Sequence, residues 1–167
     1  EHRKWADSHY IIGDAFKGIS KVADGIIHFA EVDPPYAIDL EARKSRTQGK
    51  TTSDYEEWTE EDYPDLLAGM AKQVYRVMYV NSFCVWWFGP TWWSLTKETL
   101  TKAGFKVNEV PAIWYKGIAG QTASPDTSLG SAYEPCWICR KGNPKLRWPG
   151  RSNVFEVNPV APLKKIH

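Results

Sequence analysis

The fold prediction depends on one stretch of the chain, residues 25–36, which reads GIIHFAEVDPPY. Its first part, Gly25 to Val32, is mostly apolar and has the length of a strand that is covered on both faces in a parallel sheet. Pro34 and Pro35 cannot continue a central strand, because proline lacks the backbone N–H that the ladder needs. The chain must therefore turn out of the sheet directly after a buried strand.

Strand-like and helix-like segments alternate along the rest of the chain. Apolar patterns predict strands at 9–12, 82–88, 105–115, 132–140 and 153–157, and helices at 15–22, from about 59 to 78, and at 91–103. The intervening polar segments 37–53, 116–131 and 141–152 are predicted to be loops. The alternation predicts a single α/β domain over residues 1–167, with a mainly parallel sheet flanked by helices.

Composition narrows the class of protein. The chain has 167 residues, 43% hydrophobic residues and a formal net charge of +1, so any contact with nucleic acid must use local basic patches. No apolar run approaches the roughly 20 residues that cross a bilayer, so no membrane contact is expected. Cys136 and Cys139 are spaced like a redox or zinc pair, but they fall within a predicted strand and have no second pair, which favours burial in the core. No metal site is predicted.

The four residues that follow the first buried strand carry the candidate chemistry. In a parallel α/β sheet, ligands bind outside the carboxyl ends of the strands, where Asp33 is expected. Its carboxylate can accept a hydrogen bond from an exocyclic amine, and the carbonyl of Pro34 can accept the second amine hydrogen. Pro34 and Pro35 stiffen the backbone that aims both acceptors. Tyr36 adds a flat face on which a base can stack.

This tetrapeptide resembles the signature of DNA methyltransferases that modify the exocyclic amine of adenine or cytosine. Four other segments are similar to stretches of that family, so the resemblance covers almost the whole chain. They are His9-Tyr10-Ile11-Ile12-Gly13-Asp14, Arg76-Val77-Met78, Tyr133-Glu134-Pro135 and Arg140-Lys141-Gly142. Of all these, only the tetrapeptide is individually specific. The resemblance implies a Rossmann-like methyltransferase fold.

The resemblance also implies a reaction and its residues. The enzyme would transfer a methyl group from S-adenosyl-L-methionine to the amine of a base flipped out of duplex DNA, with Asp33, Pro34, Pro35 and Tyr36 as the catalytic site. An initial Asp favours adenine, with cytosine-N4 as the alternative; relatives acting on protein glutamine or RNA commonly carry Asn at the position of Asp33. The family also places an acid like Asp14 at the adenine end of the cofactor, although Asp14 could equally cap a helix.

The end of the chain resembles the lead-in to the family's cofactor half. Residues 160–167 look like the start of a segment that precedes the glycine-rich cofactor loop in the permuted beta class, and no G-x-G occurs in this sequence. We therefore expect the front, base-binding portion of a methyltransferase, from the cytoplasm of a bacterium or encoded by a phage. A homodimer and a catalytically inactive DNA-binding fragment both remain open.

Two basic clusters are candidates for contact with DNA phosphates. The first follows the tetrapeptide and comprises Arg43, Lys44, Arg46 and Lys50. The second includes the aromatic Trp148, which could stack on a base or wedge between bases, and comprises Arg140, Lys141, Lys145, Arg147, Trp148 and Arg151. The four tryptophans at 86, 87, 92 and 93 are expected to pack in the core, with Trp86 and Trp87 on opposite faces of the sheet.

Overall fold

A computed structural model describes residues 10–36, 59–117 and 126–157. The helices are α1 (Ala15–Ile19), α2 (Tyr63–Val77) and α3 (Trp93–Lys102), and a 3₁₀ turn, Pro90–Trp92, leads into α3. The strands are β1 (Ile27–Val32), β2 (Met78–Trp87), β3 (Lys106–Val107), β4 (Ala112–Tyr115), β5 (Tyr133–Lys141) and β6 (Val154–Glu156). No helix among these residues is long and apolar enough to cross a membrane.

The described strands form one mixed sheet in the order β1-β2-β5-β4-β6, with β3 also paired to β5. β1 runs parallel to β2, and β4 runs parallel to β6. β5 is antiparallel to β2, β3 and β4, so it is the one described strand that runs against the others. The predicted α/β sheet is therefore confirmed as a mixed sheet: five of the six described strands share one direction, but three of the five described pairings are antiparallel, because all three involve β5.

The core lies on one face of this sheet. The largest fully buried side chains are Trp86 and Trp137, which pair across β2 and β5. The apolar side of α2 packs onto them, and α1 and α3 each pack against α2. The expectation that β1 is covered on both faces is not met by the described residues, because Phe29, which points to the other face, is 57% exposed.

Three sequence-based predictions change in detail. Residues 10–12 are exposed and form no strand. The strand expected over 105–115 is two short strands, because the turn between them contains Pro111, which cannot donate to a ladder. The helix expected from Thr59 begins at Tyr63, and Thr59 and Asp62 lie in the turn before it, where the Asp62 N–H donates to the Thr59 hydroxyl and that hydroxyl donates to Oδ2 of Asp62.

The two cysteines follow their prediction, whereas the four tryptophans follow theirs only in part, because Trp92 is half-buried and Trp93 is exposed. Cys136 is 4% exposed and Cys139 is fully buried. Because they are three residues apart along β5, they lie on opposite faces of the sheet; Cys136 pairs with Trp87 and Cys139 with Cys84. Burial raises the pKa of the Cys136 thiol to about 11, so the thiol is uncharged near neutral pH. Trp86 is fully buried, whereas Trp87, on the other face, is half-buried.

Candidate functional site

The segment Asp33–Tyr36 leaves the sheet at the carboxyl end of β1. Val32 is the last residue of β1 and pairs with Trp86, so Asp33 lies level with the end of β2. Asp33 and Pro35 are exposed, Pro34 is buried and Tyr36 is half-buried. Pro34 therefore anchors the turn in the protein, while the Asp33 carboxylate faces outward at the edge where α/β sheets bind ligands.

A hydrogen bond joins the first and last residues of this segment. The Tyr36 hydroxyl donates to Oδ1 of Asp33 at 2.6 Å. The pKa of Tyr36 is raised far above its ordinary range, first by burial and then by the hydrogen bond and the charge of Asp33, so the hydroxyl stays protonated and remains a donor. An ionised carboxylate has about four acceptor positions, so this bond leaves Asp33 with capacity for a ligand.

The turn after β2 supports Tyr36 from outside the segment. The indole N–H of Trp92 donates to the carbonyl oxygen of Tyr36 at 2.6 Å. A Cβ built on Gly89 would lie 3.4 Å from the Cβ of Tyr36, so the backbone of this turn and the tyrosine are in close contact. Neither contact follows from the order of residues, because 56 positions separate Tyr36 from Trp92.

Tyr63, the first residue of α2, lies behind this support. Its ring packs against Trp92 with centroids 4.8 Å apart, and the residue is fully buried. Burial, with a smaller effect of the nearby Asp33 charge, raises the pKa of Tyr63 to about 12. Its hydroxyl has no hydrogen-bond partner among the described residues. Tyr63 falls within the helix predicted from about residue 59 to 78, and no local signal in the sequence marks it as a neighbour of Asp33.

Asp14 serves as the N-cap of α1. Its Oδ1 accepts the backbone N–H of Lys17 at 2.9 Å, and the residue is exposed. The capping interpretation of Asp14 is therefore confirmed. The second interpretation, a contact with a cofactor, stays a prediction, and one carboxylate oxygen remains outside the cap bond.

Most of the second basic cluster lies in the loop that runs from β5, in the middle of the sheet, to β6 at its far edge, while Arg140 and Lys141 lie on β5 itself. β5 ends at Lys141, level with Ser82, and β6 begins at Val154, level with Ile113, so residues 142–153 run from the level of Ser82 to about the level of Trp87, the last residue of β2. β6 is four strand steps from β1 in the sheet order, which is about 19 Å at ~4.8 Å per step. Measured along the strands, the loop therefore ends at about the same position as Asp33. Measured across the sheet, it ends four strands away from β1.

Within this loop, two arginines flank an exposed aromatic ring. The guanidinium carbons of Arg147 and Arg151 lie 4.9 and 5.8 Å from the ring centre of Trp148, which is 61% exposed. Lys145 is exposed as well. Lys141 does not belong to this surface, because its ammonium group donates to the backbone carbonyls of Tyr75 and Met78, each at 2.7 Å.

The first basic cluster, Arg43, Lys44, Arg46 and Lys50, lies outside the described residues. Within the described residues, no group of three or more His, Cys, Asp or Glu side chains is arranged to hold a metal ion. The candidate site therefore consists of Asp33–Tyr36, its support by Gly89, Trp92 and Tyr63, and the separate basic loop.

Comparison with solved structures relates this fold to methyltransferases. TTHA0409 of Thermus thermophilus, assigned as a putative DNA modification methylase, is 18% identical with a TM-score of 0.54 over 83% of this chain and 56% of its own. PvuII DNA methyltransferase, cytosine-N4-specific, is 13% identical with a TM-score of 0.63 over 92% of this chain and 58% of its own. M1.HpyAVI, solved as a SAM complex, is 13% identical with a TM-score of 0.57 over 90% and 64%.

These likenesses confirm the predicted fold. The described residues have the mixed α/β sheet of the methyltransferases, and the chain spans only about 56–64% of the length of the three proteins compared. No protein-family model and no curated protein matches the chain.

Proposed function

We propose that this chain is the base-binding part of a DNA methyltransferase that transfers a methyl group from S-adenosyl-L-methionine to the exocyclic amine of adenine. The observation that carries the proposal is the exposed Asp33 carboxylate at the carboxyl end of β1, held by the Tyr36 hydroxyl at 2.6 Å. A methyltransferase fold places its ligands at this edge of the sheet. The resemblance of the whole segment to the amino-methyltransferase signature supplies the reaction.

The chemistry asks the protein chiefly for alignment. The amine nitrogen must present its lone pair to the methyl group, so its two hydrogens have to be drawn aside. Asp33 would accept one hydrogen and the carbonyl of Pro34 the other, and the proline-stiffened turn keeps the two acceptors at a fixed angle. Holding reactants in this way can account for roughly 7–11 kcal/mol of a barrier.

The free-energy cost of flipping the base out of the duplex has to be offset by contacts with the protein. Flipping costs a few kcal/mol, whereas stacking on one aromatic ring returns about 1–3 kcal/mol. Tyr36 would provide that ring, and phosphate contacts from Arg147 and Arg151 would contribute to the rest. Those arginines lie in the loop that leads into β6, and β6 is four strand steps, or about 19 Å at ~4.8 Å per step, from β1.

The described residues fit part of a cofactor site. Asp14 offers a carboxylate oxygen that the helix cap leaves unused, and it would meet the adenine end of S-adenosyl-L-methionine, while Asp33 would lie beside the place of reaction. The sequence contains no G-x-G turn of the kind that lets backbone amides approach such a ligand. When bound, S-adenosyl-L-methionine supplies the methyl group; the chain contributes the acceptors for the amine.

The choice of base rests on Asp33 and is proposed as adenine. The cytosine-N4 alternative is favoured by the likeness to PvuII DNA methyltransferase, whose name states that specificity. Either base presents an exocyclic amine to the same two acceptors. The methylation assay therefore measures both N6-methyladenine and N4-methylcytosine.

The test uses the protein expressed from its whole reading frame, duplex DNA and S-adenosyl-L-methionine with a labelled methyl group. We expect label in N6-methyladenine after nucleoside digestion, and Asp33→Ala should lower kcat by at least about 10²-fold, as for loss of one preorganised polar contact. Asp33→Asn keeps an acceptor oxygen and should retain part of the rate. Salt-dependent DNA binding should survive both substitutions.

Glu98→Ala is the matched control, since Glu98 is an exposed acid on α3 that pairs only with Lys102 among the described residues. Label in N4-methylcytosine would replace adenine by cytosine in the proposal. An Asp33→Ala protein as fast as wild type would exclude Asp33 from the reaction, and DNA binding without any labelling would favour the inactive binding fragment.

A further inference from the structure

The indole of Trp92 reaches back to the last residue of the candidate site. Its N–H donates to the Tyr36 carbonyl at 2.6 Å, from a 3₁₀ turn that connects β2 to α3. This bond restrains the residue at which the chain leaves the proline-stiffened segment. Pro34 and Pro35 fix their own φ angles but leave the peptide after Tyr36 free to rotate.

Trp92 is itself held in place from two sides. Its backbone N–H donates to the carbonyl of Gly89 at 2.9 Å, which closes the turn, and its ring packs on the buried ring of Tyr63. Gly89 also contacts the Cβ of Tyr36, where an added methyl group would be 3.4 Å away. Because the turn is fixed, the indole N–H is a preorganised donor and not a mobile one.

We propose that Trp92 is a positioning residue for the base-binding segment, acting through Tyr36. This inference rests on the proposed function. The Trp92 bond fixes the position of the Tyr36 carbonyl and so anchors the Tyr36 backbone, from which the ring and hydroxyl extend. The hydroxyl in turn holds Oδ1 of Asp33, so one indole N–H controls both the stacking face and the carboxylate that receives the amine.

The neighbouring residue Trp93 makes a matched control. Trp93 is 37% exposed, and its ring packs edge-on against Phe88 and Trp137 at 5.4 Å each, away from the segment. Trp92→Phe keeps a ring against Tyr63 but removes the donor. Trp93→Phe makes the same chemical change one residue later without touching Tyr36.

The experiment measures single-turnover methylation and DNA affinity for the whole protein, in wild type, Trp92→Phe, Trp93→Phe and Asp33→Ala. A misplacement near 1 Å can cost on the order of 10²-fold in rate, so we expect Trp92→Phe to lose about 10-fold to 100-fold in the chemical step. Its Kd for DNA should stay within about 2-fold, because phosphate contacts are untouched. Trp93→Phe should keep the wild-type rate.

A second variant separates the donor from the packing of the ring. Replacement of Trp92 by 3-benzothienylalanine, in which sulfur takes the place of the indole N–H, preserves shape and removes only the hydrogen bond. We expect the same rate loss as in Trp92→Phe, with an unchanged unfolding midpoint. If Trp92→Phe does not fold, this variant decides the question.

The possible failures are distinguishable. If the wild-type protein methylates no DNA, the proposed function fails. If Asp33→Ala keeps the wild-type rate, Asp33 is excluded from the reaction, and the positioning role of Trp92 that acts through it is overturned. If Asp33→Ala loses activity while the benzothienyl variant reacts as fast as wild type, the proposed function stands and the positioning role of Trp92 is overturned. An equal rate loss in Trp93→Phe would also overturn it, since general disturbance of the tryptophan pair would then explain both results.

Discussion

Arg76 lies in the last turn of α2 and connects α2 to α1 and to the turn before β1. Its replacement should be among the most destabilising single changes on the surface of the protein. Its guanidinium donates to the carbonyls of Val22 at 2.8 Å and Ile19 at 2.9 Å, and it forms an ion pair with Asp24. Its Nε also donates to Gln73 at 2.9 Å. These contacts attach the end of α1 and the turn before β1 to the last turn of α2.

The expected magnitude follows from how exposed each contact is. The Arg76 side chain is 28% exposed, so its two bonds to backbone carbonyls are partly shielded from water, and bonds of a charged donor contribute about 1.5–3 kcal/mol each. The Asp24 side chain is 75% exposed, so that pair adds at most about 1 kcal/mol. Since such contributions overlap, we expect Arg76→Met to lose about 3 kcal/mol in free energy of unfolding.

Urea denaturation followed by circular dichroism measures this loss. The ammonium group introduced by Arg76→Lys can reach only some of the partners of Arg76. This variant should therefore lose about half as much free energy of unfolding as Arg76→Met. Lys102→Met, which breaks the exposed i,i+4 pair with Glu98, should lose no more than about 0.5 kcal/mol. If Arg76→Met is destabilised no more than Lys102→Met, the bonds seen around Arg76 do not stabilise the fold, and the reasoning is wrong.

Two further predictions concern the basic loop and the buried thiols. Replacing both Arg147 and Arg151 with Ala should lower the slope of log K against log salt for DNA binding by about 2, measured by fluorescence anisotropy, whereas Lys102→Ala should leave it unchanged. Burial raises the pKa of Cys136 from 9.0 to about 11 and that of Cys84 to about 12, so the unfolded chain loses these protons first as the pH rises. Stability should hold below about pH 9 and decline above it, by up to about 3 kcal/mol for Cys136. Urea midpoints at about pH 7.5 and about pH 10.5 test this, and Cys136→Ala should show the smaller decline.

The exposed face of β1 sets this sheet apart from the expectation for a parallel α/β protein. Ala30 and Val32 pack on the core beneath α2, while Phe29 on the opposite face is more than half exposed. Among the described residues, the core therefore covers only one of the two faces of the apolar run that predicted β1. The apolar pattern along a strand shows which of its faces could be buried. The residues that cover each face come from other parts of the chain.

Local rules accounted for several elements because they act between near neighbours. Gly104 closes α3 with φ +108, a conformation that favours glycine, and the sequence marks it directly. The failures occurred where two local rules compete: the apolar pattern of 105–115 suggested one strand, but Pro111 divides it into β3 and β4. Arg76 belongs to the segment Arg76-Val77-Met78 that resembles the methyltransferase family, but sequence spacing does not predict its bonds to residues 19–24.

The order of residues alone determined that the chain leaves the sheet after Val32 and presents Asp33 and Tyr36 together. That outcome depends on the missing N–H and fixed φ of two prolines, which act within a few bonds. The bond from Trp92 to the Tyr36 carbonyl depends on how the chain folds as a whole, since it spans 56 positions and exists only once the turn after β2 packs beside β1. Hydrogen bonds of this kind depend on how separate elements dock, and no local pattern encodes the docking.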